Sequence, residues 1–260
     1  MLYLCFKMYI PFDILCIIVS KVNDDDKGSL RLVCRLCRDA VHNNTTKLVW
    51  RGIHYIYPIP IRFPMQTDGY TMLRTLKCNE THITDIGPLA ACTRLKFAEM
   101  CQTDITDLGP LASCTRLMAL NCSLTGVSSL DPLAHCKRLI NLICTNTNIT
   151  DLGPLANCTR LKFLRCAENG ITDLGPLSSC KLLQDLYCDS TGVTDIEPLS
   201  ACKSLQKLNC SKTGVTDVTT LSVCTALVTL WCDRCVSRDQ IKQLQLTCHG
   251  LSGLVFHPPR

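Results

Sequence analysis

From Leu73 onward the chain returns to one arrangement of apolar and polar positions every 22 residues. Leu73, Leu95, Leu117, Leu139, Leu161, Leu183, Leu205 and Leu227 open successive units. One unit reads LKFLRCAENGITDLGPLSSCK from Leu161, and the next reads LQDLYCDSTGVTDIEPLSACK from Leu183. The shared frame is L-x-x-L-x-C-x-x-T-x-[IV]-T-D-[LI]-G-P-L-[AS]-x-C-[TK]-x.

Within each unit the stretch x-L-x-C-x alternates, which is the period of a strand buried on one face. It predicts a short strand with Leu and Cys turned inward. A strand recurring at a fixed interval pairs with its successor in parallel, so the strands stack into one sheet. The following I-T-D-L-G-P-L segment cannot continue as a long helix, because Pro88, Pro110, Pro132, Pro154, Pro176 and Pro198 fall at one place in it. A tight return made of turns or one 3₁₀ turn is expected there. The preceding Thr-Asp suits a turn, since both side chains can bond nearby backbone. Ile83, Leu89, Leu95 and their equivalents then fill the interior.

The last unit departs from the frame. After Trp231 the segment VSRDQIKQLQLTC replaces Gly-Pro, and Ile241, Leu244 and Leu246 among Lys242, Gln243 and Gln245 predict a short amphipathic helix. Leu251, Leu254 and Phe256 then read as a terminal strand. End units are expected to be atypical because they cap the stack.

These units resemble the leucine-rich repeats, in the short 22-residue class shared by bacterial internalins and a protein-phosphatase regulatory subunit. The resemblance covers about two-thirds of the chain and implies an α/β solenoid. Its form is an arc or horseshoe with a parallel sheet on the concave face and short 3₁₀ or turn returns. At about 4.8 Å per strand, eight strands make a concave face roughly 35–40 Å long. The family's Asn after the strand is Thr here, at Thr81, Thr103, Thr125, Thr147, Thr191 and Thr213, with Asn169 as the exception. A Thr ladder in the role of Asn is expected.

Cysteine, 21 of 260 residues, is the unusual component of the composition. Most of it lies in two columns. The strand column holds Cys78, Cys122, Cys144, Cys166, Cys188, Cys210 and Cys232, and the return column holds Cys92, Cys114, Cys136, Cys158, Cys180, Cys202 and Cys224. Met100 occupies the strand column in the second unit, and Met preserves apolarity but cannot form a disulfide. Both columns therefore read as small buried hydrophobes, and so many thiols favour a reducing compartment. Two alternatives stay open. Disulfides along a column are not excluded by distance. Cys232 and Cys235 with Cys248, His249 and His257 superficially resemble a zinc site, although Cys232 and Cys235 belong to columns that face different ways. No metal and no cofactor is expected.

Net charge is only +5. Residues 1–72 carry 9 Lys/Arg and 6 Asp/Glu, and residues 73–260 carry 18 and 16. Neither part is a basic nucleic-acid footprint, so no nucleic-acid partner is expected. The apolar opening is interrupted by Lys7, Pro11 and Asp13, and its longest unbroken run is Ile14 to Val19. That run is too short to span a bilayer, and no small-x-small cleavage site follows it. Cytoplasm or nucleus is the expected location, without a membrane partner. No phosphate loop, paired carboxylates or Cys-His motif appears, so no catalytic residue is assigned and no enzyme is expected.

The segment IPFDILCIIVSKVNDDDKGSLRLVCRLCRDA, from Ile10, has a different periodicity. Pro11 fits the first turn of a helix. Ile14, Leu15, Ile18 and Val22 recur at helical spacing. The acidic run and Gly28 break that helix, and a second begins at Leu30. This module resembles an F-box, which docks on the Skp-type adaptor of a cullin-RING ubiquitin ligase. The resemblance rests on Ile10, Pro11, Ile14, Leu15, Ile18, Ser20 and Leu32-Val33-Cys34-Arg35. It implies adaptor contacts by Ile10, Pro11, Ile14, Leu15, Ile18, Leu32, Val33 and Cys34, with a cullin held through the adaptor. Lys27 and Cys37 depart from the family's Leu and Trp or Phe. A plain helical cap over the first repeat is the other reading of this segment. Cysteine-rich, nearly identical repeats behind such a module resemble paralogues of large amoebal viruses and of protists.

The expected organisation is an F-box-like helical module at 1–45, a connector and N-terminal cap at 46–72, eight repeats at 73–248 and a C-terminal cap strand and tail at 249–260. Lys47–Trp50 could add a capping strand. Pro58, Pro60 and Pro64 argue against a central strand in the rest of the connector.

Positions between the inward Leu and Cys face outward on the concave sheet, and they vary while the frame does not. Phe97, Glu99, Ile143, Phe163, Arg165, Asp185, Tyr187 and Trp231 are the candidate contacts for a target protein. Aromatics and Arg are the usual anchors, and packing alone does not require several of them on one face. Together these features predict a substrate-recognition subunit of a Skp-cullin-F-box ligase. The alternative is a stand-alone repeat scaffold for protein binding.

Overall fold

A computed structural model of the protein describes residues 47–49, 71–233 and 236–257. It contains a single parallel sheet of ten strands in chain order. The strands are β1 (Lys47–Val49), β2 (Thr75–Lys77), β3 (Phe97–Glu99), β4 (Ala119–Asn121), β5 (Asn141–Ile143), β6 (Phe163–Arg165), β7 (Asp185–Tyr187), β8 (Lys207–Asn209), β9 (Thr229–Asp233) and β10 (Gly253–His257). From β2 to β9 the register is one repeat per strand, Leu142 opposite Leu164 and Leu164 opposite Leu186. The two capping strands expected from Lys47 and Leu251 are β1, paired with β2, and β10, paired with β9.

The returns are 3₁₀ turns of five residues, such as Gly153–Asn157, with Pro in their first turn. Proline helps to set each turn but is not required. Thr219–Val223 has no Pro and folds the same way. What all these turns share is an acceptor two residues before the first turn residue. Asp85, Asp107, Asp151 and Asp173 accept from the backbone N–H of Gly87, Gly109, Gly153 and Gly175 at 2.6–2.7 Å. Asp195 and Asp217 do the same for Glu197 and Thr219, and Ser129 for Asp131. These side chains satisfy a turn donor that has no partner inside the turn.

The interior is one continuous cluster of Leu, Ile, Val and Cys from Leu73 to Leu251. Both cysteine columns lie fully inside it. Where β3 carries Ala98 in place of the strand leucine, Met100 replaces the strand cysteine two positions on. Volume lost at one inward position is recovered at the next, as a close-packed interior requires.

Return-column thiols also bond backbone. The Cys114 thiol donates to the carbonyls of Cys92 and Leu89 at 3.5 Å, and Cys136, Cys158, Cys180, Cys202 and Cys224 repeat the contact on the preceding unit. Cys248 ends this row by donating to Cys224 at 3.3 Å. An aliphatic side chain would fill the same space but would leave those lone pairs unused, and this weak donor role distinguishes Cys from Ala or Val there.

The terminal helix α1 (Arg238–Thr247) is capped by Ser237, whose hydroxyl accepts from the Gln240 N–H. Ile241 and Leu244 are buried against the last repeat. Leu246 is not part of that apolar face: it is 71% exposed. It follows Leu244 by two positions, which places it on the other side of a 3.6-residue helix.

The threonine ladder performs only part of the role expected of it. Thr81, Thr103, Thr125 and Thr191 each donate to the carbonyl three residues back in their own unit, at 2.6–2.8 Å. Asn169 does more. Its amide donates to Cys144, Cys166 and Ala167 carbonyls, and its oxygen accepts from the N–H and hydroxyl of Thr147. A hydroxyl has one proton and a short reach, whereas the amide bridges two repeats.

Candidate protein-binding face

In β2 and β4 to β9 two outward positions flank a buried leucine, and in β3 they flank Ala98. The sheet therefore displays two variable rows on a rigid frame. The structure brings Ile143, Phe163, Arg165, Asp185 and Tyr187 together around a hollow of about 230 Å³, with Asn141 and Leu164 completing its lining. Five of the eight positions expected to contact a target thus converge. Phe163 remains 37% exposed, an aromatic ring left facing solvent at the edge of a concave surface.

The hollow is electrostatically asymmetric. The Arg165 guanidinium lies over the Tyr187 ring, 4.7 Å from its centroid. Asp185 is turned toward Lys207, at 3.6 Å. Among the described residues the four ion pairs include none to Arg165. An arginine held by a ring and not by a carboxylate keeps its donors free for another group.

Trp231 joins this group from two strands away. Its ring centroid lies 5.8 Å from that of Tyr187 at a tilt of 35°. Two strand spacings separate the backbones by about 9.6 Å, so the rings lean together across Asn209. Arg165, Tyr187 and Trp231 form one continuous ridge.

Phe97 and Glu99 lie apart from this centre, on β3. Phe97 is 42% exposed. Glu99 bonds Lys77 at 2.6 Å and also accepts from Asn79. Its charge is compensated, which weakens its candidacy as a contact.

Burial raises the thiols that sequence reading placed inside: Cys78, Cys122 and Cys166 move from 9.0 up to about 12. These groups stay protonated and are poor nucleophiles and metal ligands. Among the described residues no disulfide joins two cysteines. Cys232 lies in the strand column and Cys248 in the return column, and among the described residues no three His, Cys, Asp or Glu side chains gather into a metal cluster. Cys235 lies outside the described residues, as do all the positions assigned to the adaptor, Ile10 to Cys34. No described helix is long and apolar enough to cross a membrane.

Comparison with known families gives two matches. Residues 159–201 match the family described as leucine rich repeats (2 copies), and residues 9–48 match the F-box domain. The chain carries leucine-rich repeats behind an F-box domain. Among solved structures it resembles an internalin (InlF) of Listeria monocytogenes, with a TM-score of 0.68 and 24% identity over 74% of this chain and 57% of that one. Internalin C2 of the same organism matches at a TM-score of 0.64 and 24% identity, over 68% of this chain and 78% of that one. The functional domain of InlJ, which includes a cysteine ladder, matches at 0.53 and 18% identity over 82% and 58%. These likenesses confirm the solenoid. The chain spans little more than half the length of the InlF and InlJ structures. No curated protein matches it.

Proposed function

We propose that this protein is the substrate-recognition subunit of a Skp-cullin-F-box ubiquitin ligase. The observation that carries the reading is the pairing of an F-box match at residues 9–48 with a repeat array whose concave face holds an exposed anchor cluster. F-box domains typically bind a Skp-type adaptor, and leucine-rich repeats typically bind proteins. Ile10, Pro11, Ile14, Leu15, Ile18, Leu32, Val33 and Cys34 dock the adaptor. Ile143, Phe163, Arg165, Asp185, Tyr187 and Trp231 hold the target, with Phe97 and Glu99 as peripheral contacts.

The mechanism asks no chemistry of this chain. Holding a target near a charged ubiquitin-conjugating enzyme converts an encounter between free molecules into one at high effective concentration. Rigid repeats suit that task, because a fixed arc keeps the distance between the two bound proteins constant.

The test is co-expression with a Skp-type adaptor followed by size exclusion, beside a Pro11→Ala, Leu15→Asp, Val33→Asp variant. A stoichiometric complex that the variant loses is the expected result. A folded chain that never co-elutes would leave residues 10–40 as a cap and the protein as a stand-alone binding scaffold.

A further inference from the structure

Charge on the solenoid is sorted by edge. The residue just before each opening leucine is Arg94, Arg116, Arg138 and Arg160 in four consecutive repeats, all exposed. One position earlier lie Lys137, Lys181 and Lys203, also exposed. The four-residue segments entering the strands are TRLK, TRLM, KRLI, TRLK, KLLQ, KSLQ and TALV, and they contain no carboxylate. Carboxylates collect at the opposite side of each unit, in the row from Asp85 to Asp217 that caps the returns.

Stacking sets like charges about one strand spacing apart, roughly 4.8 Å. None of the ion pairs among the described residues uses an arginine of this row. Arg94 instead directs its guanidinium at the Met72 sulfur, at 3.2 Å. Uncompensated cations in register raise one another's energy, and an anionic partner relieves that repulsion.

The row also changes character along the solenoid. After Arg160 it continues as Leu182, Ser204 and Ala226, and Leu182 is 46% exposed. Leu182 leads into β7, whose Asp185 and Tyr187 line the hollow. A partner lying along this edge meets four arginines and then an apolar step that opens onto the concave anchors.

We infer that this edge docks an acidic segment of the recognised protein, followed by an apolar residue that enters the hollow from β6 and β7. The inference rests on the concave face being the target site. Width argues against a nucleic acid. The strands β2 to β8 are three residues long, about 10 Å, and beyond them come Glu168, Asp189 and the aspartate row. A duplex, broader than its ~12 Å major groove, would press phosphates on those carboxylates. A peptide with a short acidic run covers only the basic edge.

The test uses the full chain and a fluorescein-labelled peptide of six glutamates followed by leucine and phenylalanine, read by anisotropy. The expected result is binding that weakens with added salt and falls at least about tenfold in an Arg116→Glu, Arg138→Glu, Arg160→Glu variant. An Arg238→Glu, Lys242→Glu variant, altered in α1, should bind as wild type. All five positions are exposed, so folding is not at stake, and far-UV circular dichroism verifies it. Four results would overturn the inference. The peptide does not bind, or both variants lose it equally. An oligo-dT of similar length displaces it at lower concentration, which assigns the edge to nucleic acid. The chain self-associates at low salt and the triple variant does not, which assigns the edge to the aspartate row of a second copy. Adaptor co-elution should be untouched by the triple variant, so failure here and failure of the ligase reading are separable.

Discussion

The Arg165 guanidinium sits 4.7 Å above the Tyr187 ring, one repeat further along the sheet. Tyr187 in turn contacts Trp231. A cation held over a ring at a partly exposed site contributes about 0.5–1 kcal/mol. A double-mutant cycle with Arg165→Ala and Tyr187→Ala, followed by urea denaturation, should return a coupling of that size. Arg165→Lys should keep part of it, because an ammonium is attracted to the ring but cannot stack flat on it. Coupling near zero would mean that the ridge is not preorganised.

Asn169 ties two repeats together from a row that is otherwise threonine among the described residues. Replacing it with Ala leaves the Cys144, Cys166 and Ala167 carbonyls and the Thr147 N–H without this partner in a buried site. A loss of about 2–3 kcal/mol is expected. Asn169→Thr should cost less, about 1–2 kcal/mol, because a hydroxyl can restore the bond within its own repeat as Thr147 does. Urea midpoints at constant m-value would check both.

The pairing of neighbouring repeats continues two residues past each strand's inward cysteine or methionine through residues in the left-handed region. Leu124, at φ 56°, is one of them, and its N–H donates to the Thr145 carbonyl at 3.0 Å. A γ-branched side chain is costly in that conformation, whereas Asn tolerates it and already occupies the equivalent place as Asn146. Leu124 is 48% exposed, so its removal sacrifices little packing. Leu124→Asn should therefore raise stability by roughly 0.5–1 kcal/mol, seen as a higher melting temperature. A lower one would show that the Leu124 side chain packs against a neighbour.

How much of this was legible beforehand depended on periodicity. The alternation around Leu76 and Cys78 and the recurrence of Pro88 every 22 residues specify strand, return and parallel order, because each repeat can bury its face only on the next. The hollow was legible in part: Ile143, Phe163, Arg165, Asp185 and Tyr187 stood out as variable residues in outward rows. Two things were not. The basic edge was hidden because charge was summed over the array, 18 against 16, and a sum cannot show that Arg116 and Asp107 lie on opposite sides of a unit. The hydrogen-bonding role of Cys114 was hidden because burial alone accounts for cysteine. Only the geometry of the return reveals the carbonyls of Cys92 and Leu89.

Buried thiols make the array sensitive to alkali. In the unfolded chain a thiol ionises near 9.0, and in the native state burial holds Cys78, Cys122 and Cys166 up at about 12. Below pH 9 both states keep the proton, and stability does not depend on these groups. Between about pH 9 and 12 only the unfolded chain releases it, so stability falls as pH rises, by up to about 1.4 kcal/mol per pH unit for each thiol. Three thiols alone then remove roughly 4 kcal/mol per unit, against a typical total of about 5–15 kcal/mol for a folded domain. The urea midpoint should be flat from about pH 7 to 8.5 and collapse above about pH 9.5. The buried column thiols, titrated with a disulfide reagent, should appear together with loss of circular dichroism rather than before it, whereas the half-exposed Cys101 can react earlier. A Cys122→Ala, Cys166→Ala variant starts from lower stability because it leaves small cavities, yet its stability should decline less steeply with pH. Equal slopes for the two proteins would show that other groups govern the alkaline limit.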